Sequence, residues 1–285
     1  MTARLRVHTT AIACGAALLL TAALPASPQV AWHTGFTEAL AAAQDSGRPI
    51  LTVFHSVGCG PCAQMEHETL ADPRVAEIIA RSFEAIRINA LAQSELATRY
   101  LVSFYPTVKF LDADGSAVYD AQGFIAADDF LAVVDEALAA HAALQRARSA
   151  AAGEEPSAEG ALAIARDFLR ARHYPQAITW ARATLARSAA DPLVTAETNS
   201  ILGVALTDAG EPAEAEEALL AALSLADDAE WAWHTRLKLG YVWLQRGRED
   251  GGIDLLRVVR EAEAAAPSVR SEAERLLRWW GVEAD

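Results

Sequence analysis

A short apolar run, Pro49-Ile-Leu-Thr-Val-Phe54, is followed five residues later by Cys59-Gly60-Pro61-Cys62, and then by a helically spaced stretch, Ala63 to Leu70. The run is rich in β-formers and reads as a buried strand. The local order is therefore strand, cysteine pair, helix. A bridge between residues three apart closes too small a loop to restrict the unfolded chain much. Chemistry, rather than stability, explains this pair. The thiolate is the reactive form of cysteine, and a free thiol is mostly protonated at neutral pH. At a helix N-terminus Cys59 meets unpaired backbone N–H groups and the positive end of the helix dipole. Cys62, one turn further in, is shielded and placed to attack a mixed disulfide formed on Cys59. Pro61 sits where a missing N–H costs nothing. Zinc wants four ligands. His55 and His67 are near, but no second Cys or His pair follows, so neither a metal nor another cofactor is expected.

The elements around the pair alternate. Phe36 to Asp45 has a helical pattern ending near Gly47. Asp72-Pro73 opens another helix with an N-cap and a first-turn proline. Phe83 to Asn89 reads as a strand, Ala92 to Tyr100 as a helix and Thr107 to Leu111 as a third strand. The turn Asp112-Ala113-Asp114-Gly115 leads to a fourth strand, Ala117 to Ala121, and a helix runs from Ala126 to about Ala143. Helical connections between the first three strands predict parallel crossovers, with the final hairpin adding an antiparallel edge.

After the polar break Gly153-Glu-Glu-Pro-Ser157 the chain reads as helix throughout, and it repeats. Leu202-Gly203-Val-Ala-Leu206 returns 37 residues later as Leu239-Gly240-Tyr-Val-Trp243, and Ala215-xxx-Leu219 returns as Gly252-xxx-Leu256. A weaker unit aligns Tyr174-Pro-Gln-Ala177 with Glu211-Pro-Ala-Glu-Ala215. Small residues recur where two helices of a hairpin approach closely, and large apolar ones fill between hairpins. Ser268 to Trp280 is expected to cap the array. Six of the seven tryptophans lie in this half, at helical spacing that suits packing.

The formal net charge is −14 over 285 residues, and both halves are acidic. With no basic stripe, nucleic acid is not an expected partner. The N-terminus pairs Arg4 and Arg6 with an uncharged, mostly apolar run from Thr9 to Leu24 and small residues after it. That is the anatomy of a signal peptide over residues 1–26. It predicts an exported, periplasmic or extracytoplasmic protein without stable membrane insertion after cleavage. The expected divisions are then residues 27–148, a linker at 149–157 and a helical repeat domain at 158–285.

Two resemblances follow from these residues. The helical half, with Leu-Gly-xx-large and then Ala-xxx-large, resembles tetratricopeptide repeats, although its period is longer than their usual ~34. Residues 31–143, through Ile50-Leu-Thr-Val-Phe54, Cys59-Gly-Pro-Cys62 and Tyr105-Pro106-Thr107, resemble thioredoxins. That likeness implies an α/β thioredoxin fold, a mixed central sheet flanked by helices, and a cis Pro106 against the disulfide. It also implies protein disulfides as substrates and an upstream thiol donor of electrons. Trp32, Phe36-Thr-Glu-Ala-Leu40, Gly47-Arg-Pro49 and Glu68-Thr-Leu-Ala-Asp-Pro-Arg-Val75 are similar to the envelope thiol:disulfide interchange branch. In that branch a Glu four residues after the second Cys serves the site, a position Glu66 occupies. Two departures stand out. Val53 replaces the usual buried Asp, and Gly58 the usual Trp. The resemblance thus implies an extracytoplasmic thiol–disulfide oxidoreductase, reductase or isomerase, with catalytic Cys59, Cys62, Pro106 and Glu66. The repeats would recruit a protein partner. The alternative is a non-catalytic binding, chaperone or scaffold module.

Overall fold

The computed structural model describes residues 30–153, 155–187 and 191–282. The signal segment 1–26 lies outside the described residues. The chain opens with β1 (Trp32–His33), α1 (Phe36–Ser46) and β2 (Ile50–His55). Then come α2 (Gly60–Gln64), which continues into a π-helical turn at Met65–Thr69, α3 (Pro73–Ser82) and β3 (Glu84–Asn89). α4 (Ser94–Arg99), β4 (Thr107–Leu111), β5 (Ala117–Gln122) and α5 (Ala127–Ala151) complete the first half. The start of α3 is set as its sequence suggests: Asp72 accepts from Arg74 N at 2.8 Å, with Pro73 at the first helical position.

The five strands lie in the order β1-β3-β2-β4-β5. This is the mixed sheet of the thioredoxin fold. β2 and β3 are parallel, but β4 runs antiparallel to β2, with Phe54 opposite Thr107. The expectation of a third parallel strand is overturned. The six-residue α4 and its flanking loops do not carry the chain back along the sheet, so β4 starts at the end where β3 stops. That reversal brings Pro106 to the same end of the sheet as the cysteines. β1 is an additional two-residue strand on β3, too short to show a period in sequence.

Side chains alternate across the sheet. Leu51, Val53, Ala85, Val108 and Phe110 face α3 and α5 and share a core with Val75, Ile79, Phe130 and Val134. Ile50, Phe54, Ile86 and Ile88 face the opposite layer, with Ala39 and Ala43 of α1 and Ala97 of α4. The first of these cores does not stop at the sheet domain. α5 is longer than its sequence pattern suggests, and its Leu144 and Ala147 pack with Ile164, Phe168, Ala171 and Ala177.

The second half is all-helical. Its elements are α6 (Ala158–Arg170), α7 (Tyr174–Arg187), α8 (Pro192–Ala209), α9 (Pro212–Leu225), α10 (Ala232–Gln245), α11 (Glu249–Glu261) and α12 (Pro267–Trp279). The 37-residue recurrence is a packing recurrence. A Cβ on Gly203 would stand 2.6 Å from Leu219 Cγ, and one on Gly240 would stand 3.0 Å from Leu256 Cγ. Each glycine lets the second helix of its pair approach. Where Leu244 closes on Gly252, a Cβ there would come within 2.8 Å of it. One repeat earlier the smaller Thr207 stands at the Leu244 position and Ala215 is accommodated at the Gly252 position, fully buried. Of the tryptophans, Trp180 and Trp243 pack on the repeat core and Trp233 and Trp280 on the C-terminal core, while Trp279 is 69% exposed. Among the described residues no helix is long and apolar enough to cross a membrane.

Candidate active site

β2 delivers the chain to the site, and Gly58 turns it. Gly58 has φ +78°, a left-handed conformation that a tryptophan seldom adopts, which gives a backbone reason for the departure at this position. Cys59 then caps α2, and its Sγ accepts from Cys62 N at 3.1 Å. The two cysteines form a disulfide, with their Cα atoms 5.3 Å apart. Both are partly buried.

The Tyr105–Pro106 bond is cis, as the resemblance implies. The Pro106 carbonyl accepts from Gly123 N at 2.8 Å, and Thr107 Oγ1 donates to Phe104 O at 2.8 Å, so the loop is fixed from both sides of the proline. Pro106 and both cysteines line one cavity of about 500 Å³, floored by Val53, Met65 and Leu70. Two large apolar side chains stand out beside it in sequence: Val57 is 81% and Phe104 65% exposed.

Glu66 lines the same cavity and is not a solitary surface carboxylate. It forms a two-pronged pair with Arg87, whose Nε donates to Oε2 at 3.1 Å and whose Nη2 donates to Oε1. Arg87 lies opposite Val53 in the β2–β3 ladder, and its guanidinium stacks on the Trp32 ring, 3.6 Å from the ring centre. Burial pushes the Arg87 guanidinium down from its ordinary value, opposed by the Glu66 charge. The cavity therefore carries an ionic pair beside Val53, the position at which the resemblance leads one to expect an Asp. The pair reaches in from the neighbouring strand and from the helix that follows Cys62. Sequence reasoning missed Arg87. Its signal was an arginine on β3 in the same phase as the buried Ala85. His55 is half-buried at the cavity wall and His67 is exposed on the helix. Among the described residues no three His, Cys, Asp or Glu side chains gather as a metal site would need.

A thioredoxin fold with a Cys-Gly-Pro-Cys disulfide at a helix start, faced by a cis proline, defines a thiol–disulfide oxidoreductase. Residues 36–138 match the family described as thioredoxin-like domain, and this part of the chain is such a domain. Among solved structures it is similar to a DsbH oxidoreductase, with 21% identity over 42% of this chain and 92% of that one, at a TM-score of 0.37. A thioredoxin from Thermus thermophilus is 30% identical over 41% of this chain and 93% of that one, at a TM-score of 0.38. A disulphide isomerase from Xylella fastidiosa Temecula1 is 23% identical over 36% and 85%, at a TM-score of 0.29. No curated protein matches the chain.

Proposed function

We propose that the chain is an extracytoplasmic reductase or isomerase of protein disulfides, in which the helical half recruits a protein partner. The observation that carries this reading is the single cavity shared by Cys59, Cys62, Pro106 and Glu66. In the reduced chain the Cys59 thiolate attacks a substrate disulfide. One substrate sulfur joins Cys59 and the other leaves as a thiolate. Cys62, losing its proton, attacks Cys59 Sγ. The second substrate thiolate departs, and the Cys59–Cys62 disulfide remains for an upstream dithiol to reduce. Glu66 takes up the Cys62 proton in that second step, with Arg87 holding its carboxylate in place. Pro106 leaves the backbone beside it open to an extended substrate strand. The exposed apolar side chains Val57 and Phe104, close in sequence to Gly58 and Pro106, suit a protein substrate. The extracytoplasmic assignment is supported by the Arg4 to Ser27 pattern.

Alkylation of the reduced chain across a pH series tests the thiol roles. Cys59 should react well below the ~8.5 of a free thiol, and Cys62 more slowly. Equal reactivity of the two would defeat the assignment. A full-length Cys62→Ala chain should trap mixed disulfides with native partners. Adding Trp279→Ala on the helical half should lower the trapped yield, whereas Arg257→Glu on the outer helix α11 should not. If neither substitution changed the trapped set, recruitment by the helices would have to be abandoned.

A further inference from the structure

The helical half curves around a cleft of about 880 Å³, walled by α6, α8, α10 and α12. These are the first helices of the three hairpins and the capping helix. The whole chain carries 38 acidic and 24 basic side chains. The cleft reverses that balance. Five cations line it, Arg166, Arg170, Arg172, Lys238 and Arg275, against two carboxylates, Asp208 and Glu272.

The cations are held in place while still facing the cleft. Lys238 Nζ lies 2.6 Å from Asp208, and Arg275 Nε donates to Glu272 at 2.9 Å. The other three are tethered by carboxylates that do not line the cleft. Arg166 Nε donates to Glu197 at 3.0 Å, Arg172 reaches Asp120 of β5 at 2.6 Å, and Arg170 comes only within 4.0 Å of Glu136. A guanidinium has five donors in a rigid fork, so tethering one edge leaves donors for another acceptor. Arg166 and Arg170 are one helical turn apart on α6 and about half exposed. Leu169, Leu237, Leu276 and Tyr241 contribute apolar surface among the cations. His234 lies in the same lining. Burial, and then the neighbouring Lys238, push its imidazole down to about 4, against the pull of Asp208 and Glu272. It is neutral at pH 7 and adds no charge of its own to the cleft. Exposed Trp279 completes one wall.

We infer that this cleft binds an extended acidic protein segment, whose carboxylates meet the Arg166, Arg170 and Arg275 guanidiniums and whose apolar side chains settle between them near Trp279. The inference rests on the reading of the helical half as the recruiting element and names the chemistry of what is recruited. Charge complementarity selects the occupant: a concave cleft whose lining holds more cations than carboxylates, with apolar side chains among them, suits a segment that carries both carboxylates and apolar side chains. A nucleic acid would meet the same cations but would extend over an acidic surface.

The test uses the full chain and a fluorescent eight-residue peptide of alternating Glu and Leu, beside versions with Gln or Lys for Glu. The Glu peptide should bind, the Gln peptide at least tenfold more weakly and the Lys peptide not measurably. Raising salt from 50 to 300 mM should weaken the Glu complex several-fold. The double variant Arg166→Glu/Arg170→Glu should abolish it. Arg170→Gln, whose side chain meets its carboxylate partner Glu136 only at 4.0 Å, should weaken it about threefold with an unchanged circular-dichroism spectrum. Placing the Glu-Leu sequence on a disulfide-containing model substrate should lower its KM several-fold at constant kcat. Equal binding of Glu and Lys peptides, indifference to both arginine variants, or equally tight binding of an oligothymidylate would overturn the inference. Should the peptides fail while Trp279→Ala still lowers the trapped yield, recruitment stands and only the acidic preference falls.

Discussion

Asp112 offers a quantitative test of how the sheet is joined to the long helix that leads into the repeats. It follows β4 directly, and its carboxylate is 2% exposed. Three side chains of α5 converge on it: His141 Nε2 lies 2.9 Å away, Gln145 Nε2 donates at 2.7 Å and Arg148 Nη1 closes an ion pair. Burial alone would raise the Asp112 pKa. The His141 bond, the Ala113 amide and the Arg148 charge outweigh it and hold the group at about 2, against 3.8 in an unfolded chain. A depressed folded pKa means that this stabilisation is complete above pH 3.8 and is lost as pH falls through 2. The difference corresponds to roughly 2 kcal/mol at pH 7, of which about half is gone by pH 3. Asp112→Asn keeps the shape and removes the charge. Urea unfolding followed by circular dichroism should show the variant less stable by roughly that amount at pH 7, with the gap to the native chain halving by pH 3. A gap that stays constant between pH 7 and pH 3, or no gap at pH 7, would refute the assignment of this stabilisation to the ionised carboxylate.

Glu66→Gln should slow release of the Cys59 mixed disulfide by roughly 10²-fold at neutral pH while leaving its formation nearly unchanged, as single-turnover kinetics would show; equal slowing of both steps would contradict a role in the second. Gly203→Ala, whose new methyl would meet Leu219 Cγ at 2.6 Å, should cost roughly 1–3 kcal/mol in urea unfolding. Gly251→Ala, where the nearest atom is Trp243 Cε3 at 3.4 Å, should be neutral or stabilising by up to about 1 kcal/mol. Mass spectrometry of the protein purified from its native envelope should give an N-terminus near Ser27, and a chain still carrying Met1 would contradict export by cleavage.

The parts of this molecule that were legible in sequence are those fixed by local chemistry. The strand into Cys59, the Asp72-Pro73 helix start and the glycine-to-leucine recurrence at 203/219 and 240/256 each depend on neighbours within a few turns, or on a period. What sequence left out depends on direction and on partners distant in the chain. The direction of β4 depends on how far a connection travels through space, and helical content alone does not report that. Arg87 acquires its meaning only when β3 is laid beside Val53, the following helix supplies Glu66 and Trp32 closes over the guanidinium. The missing Asp at position 53 reads in sequence as a loss. In the fold Glu66 lines the cysteine cavity as a carboxylate, and it arrives with Arg87 as counter-ion.

The partition of the chain is subtler than its change in composition suggests, and this bears on how the recruiting role can be tested. The style of the sequence switches after Gly153, yet the apolar core runs from Phe110 and Val134 through Leu144 and Ala147 to Ile164, Phe168 and Ala177 without interruption. Arg146 of α5 adds a pair with Asp167 of α6 at 2.7 Å, and Arg172 holds Asp120 on the edge strand. A chain ending at Ala152 would keep every strand and both cysteines, but it would turn one side of α5 out to water. Each fully buried large apolar side chain contributes about 1.5–3 kcal/mol, so uncovering part of Leu144 and its neighbours should cost several kcal/mol. The truncated chain is therefore expected to unfold at clearly lower urea concentration than the full chain, measured by circular dichroism with the disulfide intact. Any loss of trapped partners on deleting the helices then mixes lost recruitment with lost stability, whereas substitutions within the cleft alter the binding face and leave this shared core intact. An unchanged urea midpoint for the truncated chain would show that the two halves fold independently, and deletion would then be as clean a test as substitution.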